Sequence, residues 1–251
     1  MTTVSRITDY IDRADSMRRR TDQSPGLLWS RNVNRRVGAL ITLALLPTRI
    51  TPNMVTIASL AFHLLGAAIV LIAPTPATPA LFLGVFLIWQ FAFALDCTDG
   101  QLARVRGITS PFGAWLDQVL DHVAHTAVIG ALVVFVVRGL GLPAAESAAL
   151  GALAVGCNLI SFAAAQRNAL LGSTPAVDPE RNLWLAKLIH TRQLTDHGLF
   201  LALASIGLLS PSLLLLVVGF FSVATAGVVL GQVALNWVAI SRMGTKPNDD
   251  R

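Results

Sequence analysis

The chain has 251 residues, of which 54% are hydrophobic and only 13% are charged, and its formal net charge is +5. Because a soluble domain carries about 25% charged residues, this composition excludes an ordinary water-soluble protein and predicts an integral membrane protein. The two cysteines, Cys97 and Cys157, lie in a polar motif and in an apolar run, so we expect two free thiols and no disulfide.

The N-terminal segment, residues 1–50, is polar and rich in arginine. It lacks the short apolar stretch of a secretory signal, so no cleaved signal is expected. Apolar residues recur at helical spacing over residues 4–17, which predicts an amphipathic helix that lies on the membrane surface. A helix docked on the protein, or a frayed tail, is the alternative. Residues 33–46 form an apolar run too short to span, flanked by arginines, which predicts an interfacial helix.

Six apolar segments follow, and about 20 apolar residues are needed to cross a bilayer core. They are residues 53–73, 79–98, 112–137, 144–166, 196–210 and 212–240. The fifth is short and the sixth long, so five or seven spans are the alternatives to six. The predicted fold is an all-α integral membrane protein with six transmembrane helices and N-terminal amphipathic helices. Its parts are an N-terminal cytoplasmic and juxtamembrane segment (1–50), a six-helix transmembrane domain (51–242) and a short cytoplasmic tail (243–251).

The positive charges predict the orientation of these spans. With six spans, 18 of the 19 basic residues fall on one side of the membrane and only Arg138 falls on the other. The positive-inside rule places the basic side in the cytoplasm. We therefore expect a multi-pass protein of the cytoplasmic membrane, with both termini in the cytoplasm.

Four aspartates lie at the cytoplasmic ends of the second and third spans, where ionisable groups are costly and usually functional. Asp96 and Asp99 are three residues apart, and Asp117 and Asp121 are four apart, so each pair shares one helical face. The chain turns back between the pairs, which predicts that they converge. An all-oxygen ligand set suits Mg²⁺ or Mn²⁺, as one ion or two. Two ions can clamp the attacking and leaving oxygens of a phosphoryl transfer.

The neighbours of these acids favour a phosphate-bearing ligand. Gly100 follows Asp99 directly and leaves room for a ligand to approach the backbone. Arg104 lies one turn beyond Gly100, where its guanidinium can clamp a phosphate oxygen. Gly113 precedes Asp117 by one turn and keeps that helical face open as well.

The run from Asp96 to Asp121 resembles the signature of the CDP-alcohol phosphotransferase family, D-x-x-D-G-x-x-A-R-x8-G-x3-D-x3-D, at all eight fixed positions. Residues 51–56 are similar to a weaker segment that opens the family's first span, and residues 31–35 resemble juxtamembrane helices of some members. The resemblance implies a six-helix fold, a polar cavity that faces the cytoplasm, and frequent dimers. It also implies a reaction in which an acceptor hydroxyl attacks the donor phosphorus and CMP leaves.

The same resemblance implies roles for individual residues. The metal ligands would be Asp96, Asp99, Asp117 and Asp121, holding Mg²⁺ or Mn²⁺, expected as two ions. Asp121 would also be the general base. The CDP pocket would be formed by Gly100, Ala103, Arg104, Gly113, Asn53 and Thr56.

The acceptor site is defined less well by the sequence. Four basic residues on the cytoplasmic side are candidates to bind a phosphorylated acceptor: Arg167, Arg181, Lys187 and Arg192. For any single one of them, a positive-inside flank is the better explanation. His122 and His125 lie close to the acids, and His125 is one turn past Asp121 on the same face, from which it could relay a proton. A histidine that packs between helices is the more common case.

Two other function classes are alternatives to the phosphotransferase. A prenyl-diphosphate-type membrane transferase fits the Asp117–Asp121 spacing alone, and a cation transporter would place its acids or broken helices at the bilayer midplane. For the phosphotransferase, CDP-diacylglycerol is the leading donor, in phospholipid synthesis. A soluble CDP-alcohol such as CDP-inositol, joined to a phosphorylated polyol, is the alternative. Further expected partners are a small or lipid alcohol as acceptor, membrane lipid and a second copy of the chain, and no nucleic acid.

Overall fold

The computed structural model describes residues 3–21, 28–171 and 196–243, and over these ranges the chain forms helices and no strand. The helices are α1 (Thr3–Thr21), α2 (Arg35–Leu45), α3 (Pro52–Ile72), α4 (Pro79–Arg106), α5 (Pro111–Leu140), α6 (Ala144–Leu171), α7 (His197–Gly207) and α8 (Pro211–Met243). A π-helical turn, Ser30–Asn34, leads into α2. Among the described residues, five helices are long and apolar enough to cross a membrane, namely α3, α4, α5, α6 and α8. The all-α multi-pass prediction is confirmed.

The starts of α3, α4 and α5 follow one local pattern. Each helix begins at a proline, and the residue before it, Thr51, Thr78 or Ser110, accepts a hydrogen bond from the backbone N–H three residues later. A proline at the first helical position gives up no hydrogen bond, and the capping oxygen satisfies one of the free N–H groups. Gly107 and Gly141 end α4 and α5 with φ of 66° and 60°, a backbone conformation that favours glycine.

The predicted fifth span, 196–210, is a short helix. α7 has 11 residues, which at 1.5 Å per residue gives about 16 Å, half of a bilayer core of about 30 Å. Its first residue, His197, lies beside the middle of α3, with 6.1 Å between its ring centroid and that of His63. At its other end the Leu208 carbonyl accepts a hydrogen bond of 2.9 Å from Ala77 in the α3–α4 turn. α7 therefore fills only the half of the bundle nearest that turn.

The two N-terminal helices pack on the protein. α1 is docked on α2, where the Tyr10 hydroxyl donates a 2.7 Å hydrogen bond to the Leu40 carbonyl and Ala14 is buried. α2 in turn packs along α4, and a Cβ placed at Gly38 would stand 3.0 Å from the Ala94 carbonyl oxygen. Both predicted helices exist, and these contacts favour the docked alternative for α1.

The main hydrophobic core lies between α3, α4, α5, α7 and α8, toward the ends away from the acids. Its large, fully buried side chains include Trp89, Leu132, Phe135, Leu201 and Leu214. The Trp89 indole occupies the space beside Gly66, where a Cβ would collide with it.

Arg138, the single basic residue that the sequence places on the far side of the membrane, joins two helices. Its guanidinium donates hydrogen bonds to the carbonyls of Val70, Leu71 and Ala73 at the C-terminal end of α3. Carbonyls at a helix end have no partner within the helix, so Arg138 satisfies them and ties α5 to α3.

Candidate active site

Three aspartates on α4 and α5 form one group. Carboxylate oxygens of Asp96, Asp117 and Asp121 all lie within 4.8 Å of one another, and the three side chains are half-buried. The Asp96 Oδ1 atom is buried and has no hydrogen-bond partner among the described residues. Carboxylates this close repel each other unless a proton or a cation neutralises them. Three oxygen ligands and an unsatisfied buried oxygen fit a hard divalent cation.

Asp99 is held differently from the other three acids. Its Oδ2 atom accepts a 2.6 Å hydrogen bond from the Thr56 hydroxyl of α3, and its Oδ1 atom accepts one from the Gly100 backbone N–H. Asp99 is 4% exposed, and it lines the same cavity as Asp117. The structure thus brings three of the four predicted ligands into one group and places the fourth alongside, oriented by Thr56.

A cavity of about 300 Å³ opens against Asp99 and Asp117. All six residues that the sequence assigned to the CDP pocket line it: Asn53, Thr56, Gly100, Ala103, Arg104 and Gly113. They come from α3, α4 and α5, so the cavity exists only because these helices pack together. One wall of it carries acids and another a guanidinium.

Two glycines keep this cavity open. A Cβ at Gly100 would stand 3.0 Å from Arg104 Nη1, so the guanidinium lies over the space that Gly100 leaves free. A Cβ at Gly113 would stand 3.1 Å from Ser110 Oγ and 3.5 Å from Asn53 Oδ1. The buried Nε atom of Arg104 has no partner within the described part of the chain. A guanidinium with an unused donor beside an open cavity is suited to an anionic ligand.

Arg35 is a site residue that the sequence did not single out. It begins α2 and is the cation that acts electrostatically on Asp96, and the Gln101 side chain donates a 3.2 Å hydrogen bond to its carbonyl. In the sequence, Arg35 is one of several arginines before the first span, and nothing in its spacing distinguishes it. Only the packing of α2 along α4 brings it to the acids.

His122 and His125 line a second cavity, of about 320 Å³, between α5, α6, α7 and α8. The His122 Nδ1 atom donates a 2.8 Å hydrogen bond to the Gln118 carbonyl. The His125 ring stacks on that of His197, with 3.6 Å between centroids. The predicted acceptor residues Arg181, Lys187 and Arg192 lie outside the described residues, as does the side chain of Arg167, whose backbone belongs to α6.

The sequence is similar to those of several known proteins. The family described as CDP-alcohol phosphatidyltransferase matches residues 49–221. A Rubrobacter xylanophilus protein named bifunctional IPC transferase and DIPP synthase is 38% identical over 147 residues, which are 59% of this chain and 31% of that protein. The phosphatidylinositol phosphate synthase of Mycobacteroides abscessus is 37% identical over 118 residues, 46% of this chain and 50% of that one. The matches thus span a third to a half of the length of these curated relatives.

A solved structure has the same fold. The crystal structure of Mycobacterium tuberculosis phosphatidylinositol phosphate synthase with CDP-DAG bound aligns with a TM-score of 0.56. The alignment covers 86% of this chain and 98% of that chain, at 19% sequence identity. At this identity the likeness is one of fold.

Proposed function

This chain belongs to the CDP-alcohol phosphatidyltransferase family, and we propose that it transfers a phosphatidyl group from CDP-diacylglycerol to an acceptor alcohol in lipid biosynthesis. The observation that carries the proposal is the grouping of Asp96, Asp117 and Asp121 within 4.8 Å, next to the cavity that Arg104 lines. Family membership favours this reaction over prenyl transfer and over cation transport.

The cavity beside Arg104 is proposed to bind the CDP part of the donor. The guanidinium of Arg104 would donate to the diphosphate, because charge-assisted hydrogen bonds to phosphate are strong. Gly100 and Gly113 would let the nucleotide approach the backbones of α4 and α5, where side chains would fill the space. Asn53 and Thr56 complete the α3 wall.

The acids are proposed to hold Mg²⁺ or Mn²⁺, as two ions. Asp96, Asp117 and Asp121 would be ligands, with Asp99 as the fourth, held in place by Thr56. A bound divalent cation would neutralise negative charge on the diphosphate and on the leaving phosphate. Asp121 would accept the proton of the acceptor hydroxyl while the acceptor oxygen bonds to the donor phosphorus. The bond from that phosphorus to the CMP oxygen breaks, and CMP leaves with the electron pair.

CDP-diacylglycerol is the preferred donor because the solved neighbour is a phosphatidylinositol phosphate synthase with CDP-DAG bound. A soluble donor such as CDP-inositol, joined to a phosphorylated polyol, is the second candidate. It is favoured by the 38% identity to a bifunctional IPC transferase and DIPP synthase. A phosphate on the acceptor would be met by Arg167, Arg181, Lys187 and Arg192. We further propose that the protein is a homodimer of the cytoplasmic membrane with its acids facing the cytoplasm.

The proposal is tested by following CMP release from the purified protein with Mg²⁺ or Mn²⁺. CDP-diacylglycerol and CDP-inositol are each offered with sn-glycerol 3-phosphate, myo-inositol 1-phosphate or L-serine. Wild-type protein should release CMP from CDP-diacylglycerol with at least one acceptor, and EDTA should stop the release. CMP from CDP-inositol alone would select the second candidate, and no CMP from either donor would contradict the proposed reaction.

Two variants test the role of the acids. Asp117→Asn keeps the shape of the side chain but removes its charge, and it should abolish turnover while the protein stays folded in detergent. Glu146→Gln is the matched control, because Glu146 is an exposed acid at the start of α6, away from the site. Near-normal turnover by Asp117→Asn would refute the metal-ligand assignment.

A further inference from the structure

The second cavity, of about 320 Å³, begins one residue past Asp121, at His122. It runs from there between α5, α6, α7 and α8 to Val218, which is only seven residues from the start of α8 at Pro211. It therefore extends from the level of the acids into the interior of the bundle. The reaction described above gives this space no task.

The polar part of the cavity lining consists of side chains that can form hydrogen bonds with a ligand. Four of them are Asn158, Ser161, Ser222 and Thr225. Asn158 is fixed in orientation, because its Nδ2 atom donates a 2.8 Å hydrogen bond to Thr126 Oγ1. Thr126 in turn donates a 2.7 Å hydrogen bond to the His122 carbonyl. This part of the lining is therefore rigid before any ligand binds.

Three histidines complete the polar lining: His122, His125 and His197. Because His122 Nδ1 donates to the Gln118 carbonyl, its Nε2 atom is an acceptor when the ring is neutral. The Nε2 atom of His197 is buried and has no partner within residues 3–21, 28–171 and 196–243. Buried polar atoms are nearly always hydrogen-bonded, so this atom requires a partner that the described chain does not provide. A hydroxyl group suits such a lining because it both donates and accepts.

The remaining lining is apolar and includes Ile129, Phe200, Val218 and Phe221. None of the described lining residues is an acid, a lysine or an arginine. An anionic group buried here would lack the cation that buried charges need. The lining therefore fits an uncharged part of a ligand, one that carries hydroxyl groups.

We propose that this cavity binds the uncharged, hydroxyl-bearing part of the acceptor alcohol and directs its reacting hydroxyl toward Asp121. The inference rests on the proposed phosphotransfer and adds where the acceptor lies. The hydroxyls belong either to a soluble polyol, whose phosphate would stay outside the cavity, or to a lipid alcohol that enters from the bilayer. His122, the residue after the proposed base, and His125, one helical turn past it, are then binding residues of the acceptor side.

A matched pair of substitutions on α8 tests whether the acceptor binds in this cavity. Ser222→Leu places a larger apolar side chain in the cavity, whereas Val223→Leu adds the same side chain at the next residue, which is 63% exposed on the outer surface. Ser222→Leu should raise the KM for the acceptor by about tenfold or more. Val223→Leu should leave it unchanged. CMP and Mg²⁺ should stabilise both variants against heat as much as they stabilise the wild type. This measurement shows that a variant is folded and still binds at the donor site, and it does not involve the acceptor.

An unchanged acceptor KM in a Ser222→Leu protein that still binds CMP would overturn the proposal. If Ser222→Leu does not fold, Thr225→Val removes a lining hydroxyl at nearly constant volume, and its acceptor KM decides in the same way. A wild-type protein that releases no CMP in any assay contradicts the proposed reaction instead. The two failures are therefore distinguishable.

The native cysteines provide a test that needs no turnover. Cys157 lines the cavity, and Cys97 is an internal reference on α4, packed beside Gly38 of α2. Alkylation by N-ethylmaleimide is followed at each cysteine by mass spectrometry, in the presence of myo-inositol, its 1-phosphate, glycerol or diacylglycerol, and separately in the presence of CDP-diacylglycerol. At least one of these alcohols should slow alkylation of Cys157 by about threefold or more, because a bound alcohol shields the thiol. The alkylation rate of Cys97 should stay the same.

The alcohol that protects identifies the source of the hydroxyls. Protection by inositol or glycerol compounds indicates a soluble acceptor, and protection by diacylglycerol indicates a lipid alcohol. Protection by CDP-diacylglycerol alone would assign the cavity to the donor's acyl chains and overturn the proposal. Equal alkylation of Cys157 with and without every alcohol would also overturn it.

Discussion

The Thr56 hydroxyl donates a 2.6 Å hydrogen bond to Asp99 Oδ2, so the first turns of α3 orient an acid of α4. This contact joins residues 43 positions apart in the chain. It gives Thr56 a role that differs from direct nucleotide contact, because the hydroxyl fixes the direction in which the Asp99 carboxylate points.

Replacing Thr56 tests this relationship. Thr56→Val keeps the branched shape and removes the hydroxyl, and a hydrogen bond to a charged group contributes about 1.5–3 kcal/mol. We expect kcat/KM for CMP release to fall about tenfold or more, and the thermal midpoint to fall as well, because the buried Asp99 oxygen loses its donor. Thr56→Ser keeps the hydroxyl and should retain most of the activity. Equal activity of the valine and serine variants would show that the hydrogen bond is not needed.

Gly100 should control where the Arg104 guanidinium lies. The Cβ of Gly100→Ala would stand 3.0 Å from Nη1 and must displace the guanidinium. We expect the dissociation constant for CMP, measured by calorimetry with Mg²⁺, to rise about tenfold, the loss of one charge-assisted hydrogen bond. The control is Gly84→Ala in the same helix, where nothing lies within 4 Å of the new Cβ. Unchanged CMP affinity in Gly100→Ala would show that Arg104 does not bind the nucleotide.

Gly66 should be needed for the packing of α3 on α4. A Cβ at Gly66 would collide with the fully buried Trp89 indole, and overpacking of this kind costs about 1–3 kcal/mol. Gly66→Ala should therefore lower the thermal unfolding midpoint in detergent. Gly130→Ala in α5 meets nothing within 4 Å and should match wild type or exceed it slightly, because alanine favours helix. A wild-type midpoint for Gly66→Ala would show that the indole moves freely.

Asp196 should stabilise the fold without taking part in the reaction. It is 1% exposed, and its carboxylate accepts hydrogen bonds from the backbone and hydroxyl of Ser30, from Trp29 and from the first turn of α7. Asp196→Asn replaces an acceptor oxygen with an amide NH2 group, which is itself a donor and faces donors, so we expect a loss of about 2–3 kcal/mol and a lower thermal midpoint.

The control for Asp196 is Asp9→Asn. Asp9 is half-exposed, with 50% of its side chain accessible, and forms an ion pair with Arg13 one helical turn away. Such surface pairs contribute about 0–1 kcal/mol, so the midpoint should barely move. Equal thermal midpoints for the two variants would show that the hydrogen bonds of Asp196 do not stabilise the fold.

Several features could be predicted because they depend on short stretches of the chain. The Pro-initiated starts of α3, α4 and α5, capped by Thr51, Thr78 and Ser110, follow from local hydrogen bonding. The pairing of Asp96 with Asp99 and of Asp117 with Asp121 follows from helical spacing. Other features could not be predicted in this way. The start of α7 is capped by Asp196, whose other partners, Trp29 and Ser30, lie far away in the sequence.

The sequence by itself determined that the chain is a helical membrane protein and that four acids, two glycines and an arginine belong to one phosphotransferase motif. Hydropathy and spacing report the spans and the helical faces that the acids share, and the phosphotransferase motif is recognised by its resemblance to a known family. The tertiary structure alone decided which helix covers each face. That packing turned Asp99 toward Thr56, brought Arg35 to Asp96, and placed His197 against His125 in a cavity between four helices.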